Sequence, residues 1–334
     1  MKRVLLLITV PAVIAAGLLA ATRNHFPSID RTDFATTVTP TTPTHRAQLA
    51  PVSDAAVKEF RIPILDTTVQ IAPGESYHGW TFGGTVPGPV IRVRQGDEVR
   101  IRLVNHAAMP HSIDFHAARI PMNEAFRTIA PGDSLSFQFT AEVPGAFLVH
   151  CGTPPVLLHI MQGMYLPILV DPKDGWPTKA SKEFVILQSE FYAHDSAHAA
   201  AGPDLQAAMS RNASYVVFNG RAFQYQQHPL EVQEGDRVRF FVVNAGPNNT
   251  SDFHIVGTIF DRVYPDGNPD HVMTDVQTWP VPAGSGAVFE TTFARGESGA
   301  GTYAFVTHAF ADASKGAMGL IHVSAPDQVA RSGR

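Results

Sequence analysis

The sequence predicts an all-β chain of two Greek-key β-sandwich domains in tandem. Three observations carry this: an internal repeat, short runs of alternating apolar residues, and abundant turn residues. The repeat is clearest where GDEVRIRLVN at 96–105 returns as GDRVRFFVVN at 235–244, each a Gly-Asp turn opening an alternating strand. A short polar stretch and Asp-Phe-His follow both copies, at Asp114-Phe115-His116 and Asp252-Phe253-His254. PGDSLSFQF (131–139) then corresponds to PAGSGAVFETTF (282–293), and GAFLVH (145–150) to GTYAFVTH (301–308). One β-unit therefore occurs twice, offset by about 140 residues.

With 26 Gly, 26 Pro and no sustained helical period, short antiparallel strands are favoured over strand-helix-strand units. One short helix is expected around 196–212, between the domains. The domains are expected at residues 57–175 and 176–326, with a tail at 327–334. At the other end, Lys2 and Arg3 precede an uncharged apolar run, Val4–Ala21, which reads as a signal peptide or a membrane anchor. Export follows from either reading, to the periplasm or another extracytoplasmic site. Residues 22–56, with TTVTPTTPT at 36–44, read as a Thr/Pro tether. A net charge of −5 with no basic patch excludes nucleic acid as a partner.

Cys151 is the only cysteine, so it forms no intramolecular disulfide and is a ligand, a nucleophile or a buried filler. Its neighbours decide between these. His111, Cys151, His159 and Met164 supply two imidazoles, a thiolate and a thioether, with C-x7-H-x4-M packed into a single interstrand loop. Thiolate and a weak thioether suit Cu(I), and imidazoles suit both oxidation states, so the set fits copper that cycles between them.

Strand parity points to a second site. His111 and His116 are five residues apart and His150 and Cys151 are adjacent, so each pair divides between opposite strand faces. If His111 and Cys151 meet inside the first domain, His116 and His150 emerge together outside it, beside Asp114. In the second domain Asn249 stands where the first copy has His111 and there is no cysteine, yet His254 and His308 remain. Three neutral imidazoles leave a metal with an open position for substrate, which makes His116, His150 and His308 the candidate ligands. Parity does not say which site His308 meets.

The motifs MPHSIDFHAA (109–118), HCGTPPVLLHIMQGMY (150–165), FHIVGTIFDRVYPDG (253–267) and THAFADASKGAMG (307–319) resemble those of the copper-containing nitrite reductases, with similarity running from 58 to 324. The resemblance implies two cupredoxin-like domains and two coppers per subunit. By motif, His111, Cys151, His159 and Met164 would bind type 1 copper, in the subclass with the shorter loop between Cys151 and His159. His116 and His150, with His308 of a neighbouring subunit in a homotrimer, would bind type 2 copper. Asp114 and His254 would be the acid/base pair there, since reducing nitrite to nitric oxide consumes one electron and two protons. An exported donor, a cytochrome c or a small blue-copper protein, would supply the electron.

The chain departs from the family at three places. RIPMNEAFRTIAPG (119–132) replaces a Gly/Ala-rich stretch, Val256 replaces an isoleucine above the type 2 copper, and Leu166-Pro167 replaces small residues. Two other functions compete. A two-domain multicopper oxidase needs a trinuclear cluster, normally fed by His-x-His pairs, and the sequence has none. A non-enzymatic blue-copper carrier needs one site only. Copper content separates them: two per chain for the reductase, four for the oxidase, one for the carrier.

Overall fold

The computed structural model describes residues 47–194, 200–294 and 299–325. The expected leader, most of the tether and the whole of the tail lie outside them. Residues 47–50, expected in the tether, instead lie on the second domain. Val185 N–H donates to Ala47 O and Leu49 N–H to Glu183 O, and Ala47 is buried.

The first sandwich has a sheet ordered Glu75–Phe82, Val57–Ala72, Glu98–Asn105, Ser134–Thr140. Facing it is a sheet ordered Ile91–Arg94, Tyr165–Asp171, Gly145–His150, Asp114–Phe115. In the second sandwich the larger sheet runs Tyr215–Phe218, Lys182–Phe191, Arg237–Gly246, Ser285–Thr292, Phe260–Pro265, Met273–Val276. Its partner runs Leu230–Gln233, Met318–Ser324, Gly301–Thr307, Ser251–Val256, Thr278–Val281. The expected helix between the domains is Leu205–Met209, capped by the Asp204 side chain, which accepts from Ala207 N–H. The pairing is less uniformly antiparallel than predicted. Val57–Ala72 runs parallel to Glu98–Asn105, Lys182–Phe191 to Arg237–Gly246, Ile91–Arg94 to Tyr165–Asp171, and Leu230–Gln233 to Met318–Ser324. Greek-key connections produce this, because they return a strand beside one that is distant in sequence.

The repeat extends to individual hydrogen bonds. Gly96 and Gly235 adopt φ of +94° and +93°, where a side chain would be strained. The next residue closes each turn: Asp97 accepts from Arg94 N–H and Asp236 from Gln233 N–H, at 2.7 and 2.8 Å. At the far end of the strands, the Asn105 amide donates to Met109 O and Ile129 O, and that of Asn244 to Asn249 O and Val281 O. A buried amide thus pins the loop that leads to the Asp-Phe-His motif in each copy.

Alternation survives in Glu98–Asn105, where Val99, Ile101 and Leu103 are fully buried, but Arg237–Gly246 is buried on both faces. Phe240 and Val242 enter the second domain's core, while Phe241 and Val243 join Ala146, Leu148, Tyr165 and Leu169 in an interdomain layer. The backbones approach closely there: a Cβ on Gly286 would come within 2.1 Å of Ala146 O.

A buried ion-pair network crosses the same interface. Arg92 makes bonds of 2.7 and 3.1 Å to Asp171 and one of 2.7 Å to Glu183, and Arg239 bonds Glu183 at 2.5 Å and Glu290 at 2.9 and 2.7 Å. Removing one partner strands a buried charge. Arg239→Met, leaving Glu290 buried and unpaired, is therefore expected to cost about 3–5 kcal/mol in chemical denaturation.

Candidate metal centres

The strand Gly145–His150 is where the sites begin. Leu148 faces the interdomain layer and Val149 the first core, and two residues beyond Val149 the chain places Cys151 in that core as well. His111 arrives on the opposite loop, bridged to Ile129. The predicted regular strand from His111 to His116 is only two residues long, Asp114–Phe115. The two histidines still diverge, His111 fully buried and His116 exposed. The loop after Cys151 contains a short helix, Val156–Met161, which presents His159. Its closure is backbone: Met164 N–H donates to His159 O at 3.2 Å and Cys151 N–H to Met164 O at 3.1 Å.

His111 Nδ1 and His159 Nδ1 lie 3.1 Å apart, and Cys151 Sγ is 3.3 Å from His159 Nδ1. Three donor atoms thus converge in an apolar core, where His111 Nε2 has no hydrogen-bond partner. Two imidazoles and a thiolate with Met164 alongside fit copper, whose type 1 sites take this donor set with a weak thioether. Trp80, which no motif marks, packs on both imidazoles, with ring centroids 5.2 and 4.9 Å away.

Burial, helped for His111 by the neighbouring imidazole, pushes His111 and His159 from 6.5 down to about 4. Both stay neutral, as ligands must. With folded values below the unfolded one, the unfolded chain binds more protons between them. Stability contributed by the neutral imidazoles is therefore present above pH 6.5 and lost as pH falls towards 4. Metal-free protein is expected to show this loss in urea titrations, and His159→Leu to flatten it.

The second donor set lies across the strand. His116 Nδ1–H donates to Gly284 O of the second domain at 3.0 Å, and His150 Nδ1–H donates to Cys151 O at 2.9 Å. Those bonds fix both tautomers and leave two Nε2 lone pairs facing each other at 3.0 Å. Lone pairs so placed repel unless a cation lies between them, so the pair fits a metal ion. Burial and the neighbouring His150 lower the His116 value, which favours the neutral imidazole. Asp114 Oδ2, facing His150 across the strands, lies 3.9 Å from its Nε2.

Among the described residues, His308 does not join this cluster. It pairs with His254 in the second domain, ring centroids 5.6 Å apart, and His254 Nδ1–H donates to Gln277 O at 2.5 Å. Phe310 meets His308 edge-on with ring centroids 4.7 Å apart, and Val256 lies half exposed two residues after His254. The register explains the pairing. Phe115 faces Val149 as Phe253 faces Thr307, so Asp252, His254 and His308 are the structural counterparts of Asp114, His116 and His150.

Among the described residues, the counterpart of the thiolate site holds no ligand set. Ala309 follows His308 where Cys151 follows His150, and Asn249 replaces His111. A polar network fills the space. Glu190 accepts from Asn248 N–H and Asn249 N–H at 3.0 and 2.7 Å and from the Tyr192 hydroxyl, while the Asn249 amide donates to Asp312 at 3.1 Å. Burial pushes both Glu190 and Asp312 above the usual carboxylate range.

The fold and these donor sets define a two-domain cupredoxin-type copper protein. Models described as multicopper oxidase match residues 64–175 and 182–323. A copper-containing nitrite reductase of Neisseria gonorrhoeae is 38% identical over 290 residues, 84% of this chain and 72% of that protein. The solved copper nitrite reductase of Nitrosomonas europaea superposes with a TM-score of 0.74 at 39% identity, over 80% of this chain and 94% of that one. A structure described as a multicopper oxidase reaches 0.70 at 28% identity, over 80% and 89%. The chain belongs to the copper-containing nitrite reductase family, whose centres are type 1 and type 2 copper.

Proposed function

We propose that this protein is an NO-forming nitrite reductase with two coppers per chain: type 1 on His111, Cys151, His159 and Met164, and type 2 on His116, His150 and a neighbouring copy's His308. Bound there, type 1 copper supplies a one-electron store and type 2 copper an open Lewis-acidic position for nitrite. The observation that carries the reading is the divergence of Cys151 and His150. One residue is buried in the core, its neighbour faces the Nε2 of His116, and a single peptide bond joins them.

The chain's own groups do the rest. Nitrite, one electron and two protons give nitric oxide and water, so the departing oxygen needs donors within hydrogen-bond reach. Asp114, beside His150, is the nearer; His254 is the second, its Nε2 left free by the bond from Nδ1 to Gln277 O. Val256, half exposed next to His254, would bound the space over the metal. A homotrimer accounts for His308: within one chain it sits with His254 rather than with His116 and His150. Residues 57–175 would then be the electron-receiving domain and 176–326 the domain that lends His254 and His308 to the neighbouring copy.

The apolar run Val4–Ala21 supports export to the periplasm, with that segment as leader or tether, where a cytochrome c or small blue-copper protein would deliver the electron. Among the described residues no helix is long and apolar enough to cross a membrane, and this run lies outside them. The test is direct. Purified, copper-loaded protein given an artificial reductant and nitrite without oxygen is expected to release nitric oxide. Absence of nitric oxide with both coppers bound overturns the assignment, and oxygen uptake in its place would favour an oxidase.

A further inference from the structure

The buried sulfur terminates a row of hydroxyl groups. Ser112, fully buried, donates its N–H to Cys151 Sγ at 3.4 Å. Its Oγ accepts from Gly152 N–H at 3.0 Å and from the Thr153 hydroxyl at 3.1 Å. A hydroxyl oxygen has two lone pairs and one proton, and here both lone pairs are engaged. The proton is left over, and Cys151 Sγ is the partner available to it, at 3.8 Å. A thiolate can only accept, so with Cys151 ionised the Ser112 O–H points at sulfur.

The same reasoning fixes the next link. Thr153 has spent its proton on Ser112, so at its 3.1 Å contact with Thr128 Oγ1 it accepts and Thr128 donates. The order is therefore Thr128 to Thr153 to Ser112 to Cys151, every O–H dipole aligned towards sulfur. Aligned bonds polarise one another and are strong in a medium of low dielectric. Thr128 is solvent-exposed, so the row runs from the surface to the centre of the first domain.

We propose that this row is a positioning device that sets the reduction potential of the metal held by Cys151; the inference rests on that residue being a copper ligand. Reduction lowers the charge of the site by one, and the positive end of an aligned dipole row favours the less positive state. The row therefore raises the potential. By drawing electron density from sulfur it also raises the energy of the sulfur-to-copper transition, the colour of the site.

The test uses the full-length, copper-loaded protein, poised against a redox mediator and followed by its absorption. Ser112→Ala is expected to lower the reduced-to-oxidised ratio at fixed mediator poise, on the order of tenfold for loss of a bond to a charged sulfur, about 59 mV for a one-electron couple. The absorption band should move to longer wavelength. Thr153→Val and Thr128→Val should shift both readouts in the same direction and by less, because each weakens the row while keeping Ser112. An unchanged potential and band in Ser112→Ala overturn the proposal. If that variant fails to fold, unchanged values in both threonine variants overturn it, Thr128 being exposed and tolerant of the change. A wild-type protein that binds no blue copper would instead remove the ligand assignment on which the proposal stands.

Discussion

Cys151→Ala is expected to bleach the blue absorption completely, to reduce the copper content from two per chain to one, and to abolish nitrite turnover driven by a protein donor. The colour needs a thiolate, and the chain has one. The remaining pair, His111 and His159, keeps its Nδ1 contact but loses the only anionic ligand, so copper held there would be weak and colourless. The effect should stop at the strand. His116 and His150 are oriented by Gly284 O and by the backbone carbonyl of residue 151, neither of which the substitution touches. Truncating one buried atom costs about 1 kcal/mol, too little to unfold the domain. Metal analysis and electron paramagnetic resonance should therefore report a type 2 signal without type 1. Retention of the blue band would remove Cys151 from the ligand set.

The second large effect is kinetic. Asp114→Asn is expected to leave both coppers bound and to slow nitrite turnover by roughly 10²–10⁴-fold, the usual contribution of a positioned proton donor. The amide keeps the size of the carboxylate and its place opposite His150, so binding and electron entry should persist while proton delivery fails. The informative measurement is the pair of kcat and KM with copper content fixed. A fall in kcat with KM nearly unchanged identifies a group needed in the transition state. An unaltered kcat would leave His254 as the sole donor of the pair.

Much of the fold, and the gathering of His111, Cys151 and His159, is legible in the sequence. The repeated Gly-Asp turns are local signals tied to positive φ, and the Cys/His/Met spacing is a chemical signature. The divergence of His150 from Cys151 needs only strand parity. What escaped was non-local. Four parallel pairings join strands whose order no single segment encodes. The alternation of RVRFFVVN is masked because a second domain covers its outer face. The helix Val156–Met161 is too short to display a period, and the hydroxyl row draws on residues 112, 128 and 153, which no motif connects. The network around Glu190 is scattered in the same way, from residue 190 to residue 312.

That network gives the two halves different relations to their surroundings. At equivalent places, one sandwich presents a donor set for a metal drawn from outside and the other closes on carboxylates and amides from its own chain. Ligand binding adds to folding free energy through the residues that ligate, and six of the seven proposed copper ligands belong to the first domain, His308 alone to the second. Copper scarcity is therefore felt unequally. The first domain should lose resistance to proteolysis and heat in proportion to missing copper, and the second, which lends only His308, should lose much less. A cell short of copper would hold a half-stabilised chain that needs only the ion, rather than new synthesis, to become whole.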